Sequence, residues 1–207
     1  MGTVRILIAT AVAAERDAVL AGVAELADRV DVVAVGVGPA AAAAGTARYL
    51  ALGRYDAVVS AGIAGGMPGR VELGDVVVAS RSIAADLGAD SPDGFLPLSA
   101  LGFGAEVIEA DPFLKHPYAT LGAVLSVSTV TGTAAGTAEL ARRHPDAVAE
   151  AMEGFGVATA AVQAGVRFAE LRTVSNLVGP RDKTAWRLTE ALGALTEAMA
   201  AVSGQWR

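Results

Sequence analysis

The chain has 207 residues, 53 % of them hydrophobic and 18 % charged, with a formal net charge of -6. A chain of this size buries roughly 70 % of its unfolded surface as one domain, here spanning 1–207, and such an apolar composition excludes a disordered protein. No basic block is present, which speaks against nucleic acid and against a membrane surface as partner. There is no cysteine, and the two histidines are His116 and His144. Disulfides, thiol nucleophiles and zinc–thiolate sites are thereby excluded, and a histidine metal centre or a Ser-His-Asp triad has little to draw on.

The first 17 residues, MGTVRILIATAVAAERD, mimic a secretion signal. The apolar run is short for one, and the β-branched Val4, Ile6 and Ile8 suit a first strand over 4–10. Apolar residues at helical spacing predict a helix over 15–27. DVVAVGVG (31–38) reads as a strand, and Pro39 suits the first position of a helix over 39–52. Further strands are expected at DAVVSAG (56–62) and DVVVAS (75–80). Residues 84–104 are rich in Gly, Pro, Asp and Ser, too long for a plain connection, and read as a functional loop or lid. The uncharged span 116–138 carries seven Ser or Thr and three Gly, a poor composition for a membrane helix. It reads instead as a strand, AVLSVSTV (123–130), followed by loop. Helix is expected over 139–164, interrupted at His144-Pro145, then a strand AELRTVSN (169–176) and a closing helix over 183–202. Strands alternating with helices define an α/β domain with a largely parallel sheet covered on both faces. The alanine bias reads as composition.

Open α/β sheets bind ligands beyond the carboxyl ends of their strands. The segments that follow the expected strands hold Glu15, SAGIAGG (60–66), TVTGT (129–133) and SNLVGPRD (175–182). Glu153 stands alone among small residues in AMEGFGVATAA (151–161), just before the last strand. Each has a plainer reading. Glu15 suits the first turn of a helix, Asn176 a turn, and Asp182 the cap of the last helix. SAGIAGG reads as a glycine-rich turn, open to a ligand or merely tight. Gly36-x-Gly38-x-x-Ala41 approximates a dinucleotide fingerprint, but Asp56, at the right separation, begins its strand, and Pro39 removes an amide from the turn. Tight strand-to-helix packing accounts better for those glycines.

Taken in order, A-x-x-x-E at Ala11–Glu15, AGIAGG at 61–66, GDVVVAS at 74–80, AMEGFGVA at 151–158 and RTVSN at 172–176 resemble the purine nucleosidases. These belong to the nucleoside phosphorylase superfamily and are typified by methylthioadenosine/S-adenosylhomocysteine nucleosidase. The similarity covers nearly the whole chain, and the ending SNLVGPRD looks most like the futalosine hydrolase branch. The resemblance implies a single-domain, three-layer α/β fold of nucleoside phosphorylase type, with a mixed, mostly parallel sheet flanked by helices. It also implies a cytoplasmic homo-oligomer that hydrolyses a nucleoside N-glycosidic bond with no metal or cofactor.

Residue by residue, the resemblance gives Glu15 the task of holding and deprotonating the attacking water. Glu153 would accept hydrogen bonds from the sugar's 2′ and 3′ hydroxyls, with Met152 packed on the sugar. Ile63, Gly65, Val130 and Thr131 would line the sugar and base pocket, while Arg172 and Ser175 would orient groups at the base end. Asn176 stands where adenine-specific members carry Asp. Its amide offers two donors and an acceptor but no acidic proton, which suits the O6 and N7 acceptors of a 6-oxopurine better than adenine. Hypoxanthine released from futalosine is therefore the expected product, with Phe95 and Leu96 of the 84–104 loop covering the acyl-benzoate arm at the 5′ side. The alternatives are a methylthioadenosine/S-adenosylhomocysteine nucleosidase, disfavoured by Asn176, and a purine nucleoside phosphorylase. A phosphorylase would need arginines from loops near the Gly-rich segment, and Gly38-Pro39 and AGIAGG contain none; Glu15 in the water position also argues for hydrolysis. A non-catalytic nucleoside-binding protein of the same fold is disfavoured by the retention of both Glu15 and Glu153.

Overall fold

The structure is a computed structural model that describes residues 4–206. The first strand, β1 (Ile6–Thr10), is followed by α1 (Ala13–Gly22), β2 (Val30–Ala34), α2 (Pro39–Leu52), β3 (Ala57–Gly66) and β4 (Val76–Ala84). A hairpin, β5 (Gly88–Ser91) with β6 (Gly94–Pro97), precedes the short β7 (Val107–Glu109) and β8 (Thr120–Ser126). The chain ends with α3 (Ala134–Arg143), β9 (Ala147–Ala151), α4 (Gly154–Ala164), β10 (Arg167–Leu177) and α5 (Leu188–Ser203).

Alternation along the strands builds the layers. Ile6 and Ile8 of β1 pack with Val19 of α1, with Val23 just past its end, and with Leu195, Met199 and Val202 of α5. Leu7 and Ala9 face the other way, onto Ala42 of α2 and Val157, Ala158 and Ala161 of α4. Side chains such as Leu7 and Leu195 have no exposed surface, and each contributes about 2 kcal/mol by leaving water. The alanine runs therefore carry a pattern. They let α2 and α4 approach so closely that a Cβ on Gly156 would lie 2.2 Å from the Pro39 carbonyl oxygen.

The sheet is mixed and mostly parallel: β1 pairs with β2 and β3, β3 with β10, β4 with β8, and β8 with β9, all parallel. The β10–β4, β3–β9 and β4–β7 pairs are antiparallel. It is not the open sheet the strand pattern suggests. β10 bonds to β3 on one side and β4 on the other, so β3, β10, β4, β8 and β9 form a ring, with β1 and β2 extending from β3.

Three expectations are corrected. The region read as one interrupted helix over 139–164 contains β9, whose five residues are all buried; in AVAEA only Val148 favours strand, too weak a signal, and tertiary pairing decides. AGIAGG is no turn but the end of β3, where missing side chains make room for neighbours. The 84–104 loop forms the β5–β6 hairpin, and the Phe95 ring lies 4.5 Å from the Arg143 guanidinium, in a hollow shared with none of the candidate site residues. Asp182 caps the short turn Lys183–Ala185 by accepting from the Thr184 amide, ahead of α5. Among the described residues no helix is long and apolar enough to cross a membrane.

His144, at the end of α3, buries an Nε2 that finds no hydrogen-bond partner. Burial pushes its pKa down, as it does for His116. A histidine depressed in the folded state contributes stability above its unfolded value of about 6.5 and loses it as pH falls below that. The melting temperature should therefore decline from pH 7 toward pH 5.5, and His144→Gln should flatten that decline in thermal melts. An unchanged slope in the variant would assign the acid sensitivity elsewhere.

Candidate functional site

Glu15 occupies the third position of α1 and is only 4 % exposed. Its Oε2 accepts from the Ala11 and Val12 amides at 2.9 and 3.2 Å, which is a helix-start role. Its Oε1 reaches β3 and accepts from the Ile63 amide at 2.9 Å. A plain capping acid would face water; this one is held at the carboxyl ends of β1 and β3. Three of the carboxylate's roughly four lone-pair positions are used, which leaves room for one further donor.

Glu153 stands at the N-cap of α4 but makes no cap hydrogen bond to that helix. The Ser126 hydroxyl accepts from the Phe155 amide at 2.8 Å instead. Freed from capping, the Glu153 carboxylate accepts from the Gly38 amide at 3.1 Å and lies 3.5 Å from Nη1 of Arg172. Gly38 has φ +87, a left-handed conformation that suits glycine and aims its amide at Glu153.

Arg172 joins these acids. It is fully buried on β10, donates from Nε to Glu170 at 2.9 Å and from Nη2 to the Ser60 hydroxyl at 2.8 Å. Burial alone would lower its pKa, but the carboxylates of Glu170, Glu153 and Glu15 together outweigh it and push the pKa up. Complete burial pushes the Glu170 carboxyl up, with Arg172 opposing. The resemblance places Arg172 at the base end; the structure places it among the carboxylates, beside Glu170 and Glu153. Glycine makes this crowding possible. A Cβ on Gly62 would lie 2.5 Å from Oε1 of Glu15 and 2.9 Å from Nη1 of Arg172, and one on Gly154 would lie within 2.6 Å of the Glu170 carboxyl. Gly62→Ala should therefore lower turnover about 100-fold by displacing Glu15, with circular dichroism unchanged. Activity within a few-fold of the native protein would show that Glu15 has slack to move.

The second group lies further along β3. Gly65, Val130, Thr131 and Asn176 line one cleft together with Glu150, Leu177, Val178, Arg181 and Trp186. A register shift at Ser175 sets Asn176 opposite Gly65, so the bulge re-aims the Asn176 side chain. The Ser175 hydroxyl, 2 % exposed, lies 2.9 Å from Oδ1 of Asn176 and donates to it. That bond turns the amide Nδ2 outward, where it donates to the Leu177 carbonyl at 3.1 Å and keeps one hydrogen free. Met152 is partly buried beside Glu153, and Ile63 is partly buried at the Glu15 end. A larger hollow of about 610 Å³, lined by Arg5, Tyr55 and Asp56, lies at the opposite, amino ends of the strands and contains none of these residues.

Sequence reasoning missed Glu150, Glu170, Arg181 and Trp186. A lone acid in an apolar stretch, as in AVAEA and RFAEL, was the available signal for the first two. Arg181, inside the SNLVGPRD segment but not singled out there, stacks at 5.3 Å on Trp186, which carried no sequence signal.

A family model described as the Phosphorylase superfamily matches residues 23–204. The futalosine hydrolase of Streptomyces coelicolor is 49 % identical, over 98 % of this chain and 97 % of its own. That of Acidothermus cellulolyticus is 48 % identical, over 99 % of this chain and 92 % of its own. Among solved structures, the methylthioadenosine/S-adenosylhomocysteine nucleosidase of Colwellia psychrerythraea, in complex with adenine, superimposes with a TM-score of 0.83. That match is 21 % identical and covers 99 % of this chain and 96 % of that one, a likeness of fold. A shared superfamily model over most of the sequence, and near-half identity along its whole length to two futalosine hydrolases, make this chain a member of the phosphorylase superfamily and of the futalosine hydrolase family within it.

Proposed function

We propose that the protein hydrolyses the N-glycosidic bond of futalosine, releasing hypoxanthine and dehypoxanthine futalosine. The observation that carries the reading is the pairing of two buried carboxylates, Glu15 and Glu153, around Arg172, with the Asn176 cleft further along β3. Water attacks C1′ as the C1′–N9 bond breaks, and the sugar passes through an oxocarbenium-like state. Glu15 orients that water through its remaining lone pair and takes its proton. Glu153 accepts from the 2′ and 3′ hydroxyls and sets a negative charge beside the developing cation. The Asn176 Nδ2 donates to the departing base at O6 or N7 and spreads its charge without transferring a proton. Hypoxanthine then takes up a proton, so the products are neutral base and free sugar.

Ile63, Gly65, Val130, Thr131 and Met152 would line the sugar and base, and Ser175 would hold the Asn176 amide in its donating orientation. Near Glu15 the arginine is Arg172, already engaged by carboxylates, which favours water over phosphate as nucleophile. The enzyme would act in the cytoplasm, in menaquinone biosynthesis, as a homo-oligomer without a metal or cofactor. The test is to incubate the purified protein with futalosine, inosine and methylthioadenosine in phosphate-free buffer and follow free base by chromatography. Hypoxanthine should appear from futalosine far faster than from inosine. Adenine released from methylthioadenosine would favour the ordinary nucleosidase, and release only after phosphate addition would favour a phosphorylase.

A further inference from the structure

The Asn176 cleft holds a buried carboxylate that the family resemblance does not assign. Glu150 lies on β9, three residues before Glu153, and is 5 % exposed. Its Oε1 accepts from the Thr131 amide at 2.8 Å and its Oε2 from the Thr131 hydroxyl at 2.6 Å. Among the described residues no cation pairs with it. A buried carboxylate without a counter-ion is costly unless donors satisfy it, and Thr131 fills only two of about four lone-pair positions. Gly65 is the Cα partner of Glu150 across the β3–β9 pair, and a Cβ there would lie 3.3 Å from Nδ2 of Asn176. The cleft is thus flanked by an acceptor, Glu150, and a donor, Asn176.

A 6-oxopurine presents the complement of that pair. Its O6 and N7 accept, while its N1 carries a hydrogen. Adenine reverses both features of its six-membered edge: N1 accepts and the 6-amino group donates. We infer that Glu150 accepts the N1–H of the base and, with Asn176 donating to O6 or N7, makes the cleft selective for 6-oxopurines. The inference rests on the proposed hydrolase reading and extends it to a specificity-determining residue. Burial raises the pKa of Glu150 while Thr131's donors oppose, and an N1–H brings a further donor that favours the ionised form. Adenine would set two acceptors face to face unless Glu150 took up a proton, so a site of this kind rejects it for lack of a partner rather than for size.

Binding of free bases tests this without turnover. Titration calorimetry of the unmodified protein should show hypoxanthine binding about 30-fold more tightly than adenine, and adenine should tighten relative to hypoxanthine as pH falls. In Glu150→Gln, which keeps the volume and supplies an amide hydrogen, the hypoxanthine-to-adenine ratio should fall about 30-fold. A merely structural role, bracing the Thr131 segment, would weaken both bases alike and leave the ratio unchanged, and that result overturns the inference. Should the variant not fold, the unmodified protein still decides, because equal affinity for the two bases at every pH overturns it as well. The two readings fail separately. Futalosine hydrolysed with an unchanged ratio in Glu150→Gln removes the role of Glu150 alone, whereas a base preference that depends on Glu150 without futalosine turnover removes the substrate and supports the cleft.

Discussion

Replacing Glu15 by Gln should lower kcat on futalosine by about 10²- to 10⁴-fold, the usual contribution of a positioned general base. The side chain would keep its volume and could still accept through its one oxygen, but it could not take a proton from water. At least one of the three amides now bound, those of Ala11 and Val12 at Oε2 and Ile63 at Oε1, would meet an NH₂ group instead of an oxygen. A buried donor left unpaired costs about 1–3 kcal/mol, so the variant should melt several degrees lower while remaining folded. Hypoxanthine affinity, set in the other cleft, should change by no more than a few-fold. Stopped-flow turnover beside calorimetric base binding separates the effects. If turnover stays within tenfold of the native protein, another group must activate the water.

A change at Asn176 should alter which base leaves. In Asn176→Asp an ionised carboxylate would face the O6 and N7 acceptors of hypoxanthine, in a cleft that already holds Glu150. kcat/KM on futalosine should fall at least about 100-fold, since the mismatch leaves buried polar groups unpaired. Hydrolysis of adenine nucleosides should rise relative to hypoxanthine nucleosides, because a protonated aspartic acid can donate to N7 while its carbonyl oxygen accepts from a 6-amino group. The ratio of kcat/KM for inosine and adenosine is the direct measure. A ratio that does not move in the variant would show that discrimination lies elsewhere in the cleft. Ser175 keeps its hydroxyl next to the new side chain, so the change tests chemistry more than placement.

The alternation of β-branched runs with helices made the α/β class legible, because strands buried on both faces are apolar along their length and their helices are not. Glu153 was legible for a related reason: one acid among glycine and alanine is out of place unless something holds it. Two features of the site were hidden. β9 is built of AVAEA, in which Val148 alone favours strand against three alanines and a glutamate, so its pairing with β3 and β8 had to be supplied by the rest of the fold. Glu150 consequently read as a helical neighbour of Glu153 instead of the occupant of a different cleft. Arg172 was visible as a residue, but its direction depends on the burial of Glu170 and Ser60 beside it, contacts made across the sheet between residues as much as 112 positions apart. The glycines of AGIAGG misled in the opposite sense. They looked like a turn because the space they leave is filled by side chains from α1, from β10 and from Val71 and Val178 nearby, which local sequence does not announce.

The ring of strands has a consequence for synthesis on the ribosome. β3 is made early, but one of its edges waits for β10, whose last residue, Leu177, lies 111 positions beyond Gly66, the last of β3. Until then β4 also lacks its β10 partner. A nascent chain that has emerged only through α4 carries two unsatisfied strand edges, the condition under which stray pairing and aggregation occur. Glu15 and Glu153 both emerge before Arg172, so the two acids destined to flank it are present before the guanidinium that joins them. Assembly of the site and closure of the sheet thus wait on the same eleven-residue strand.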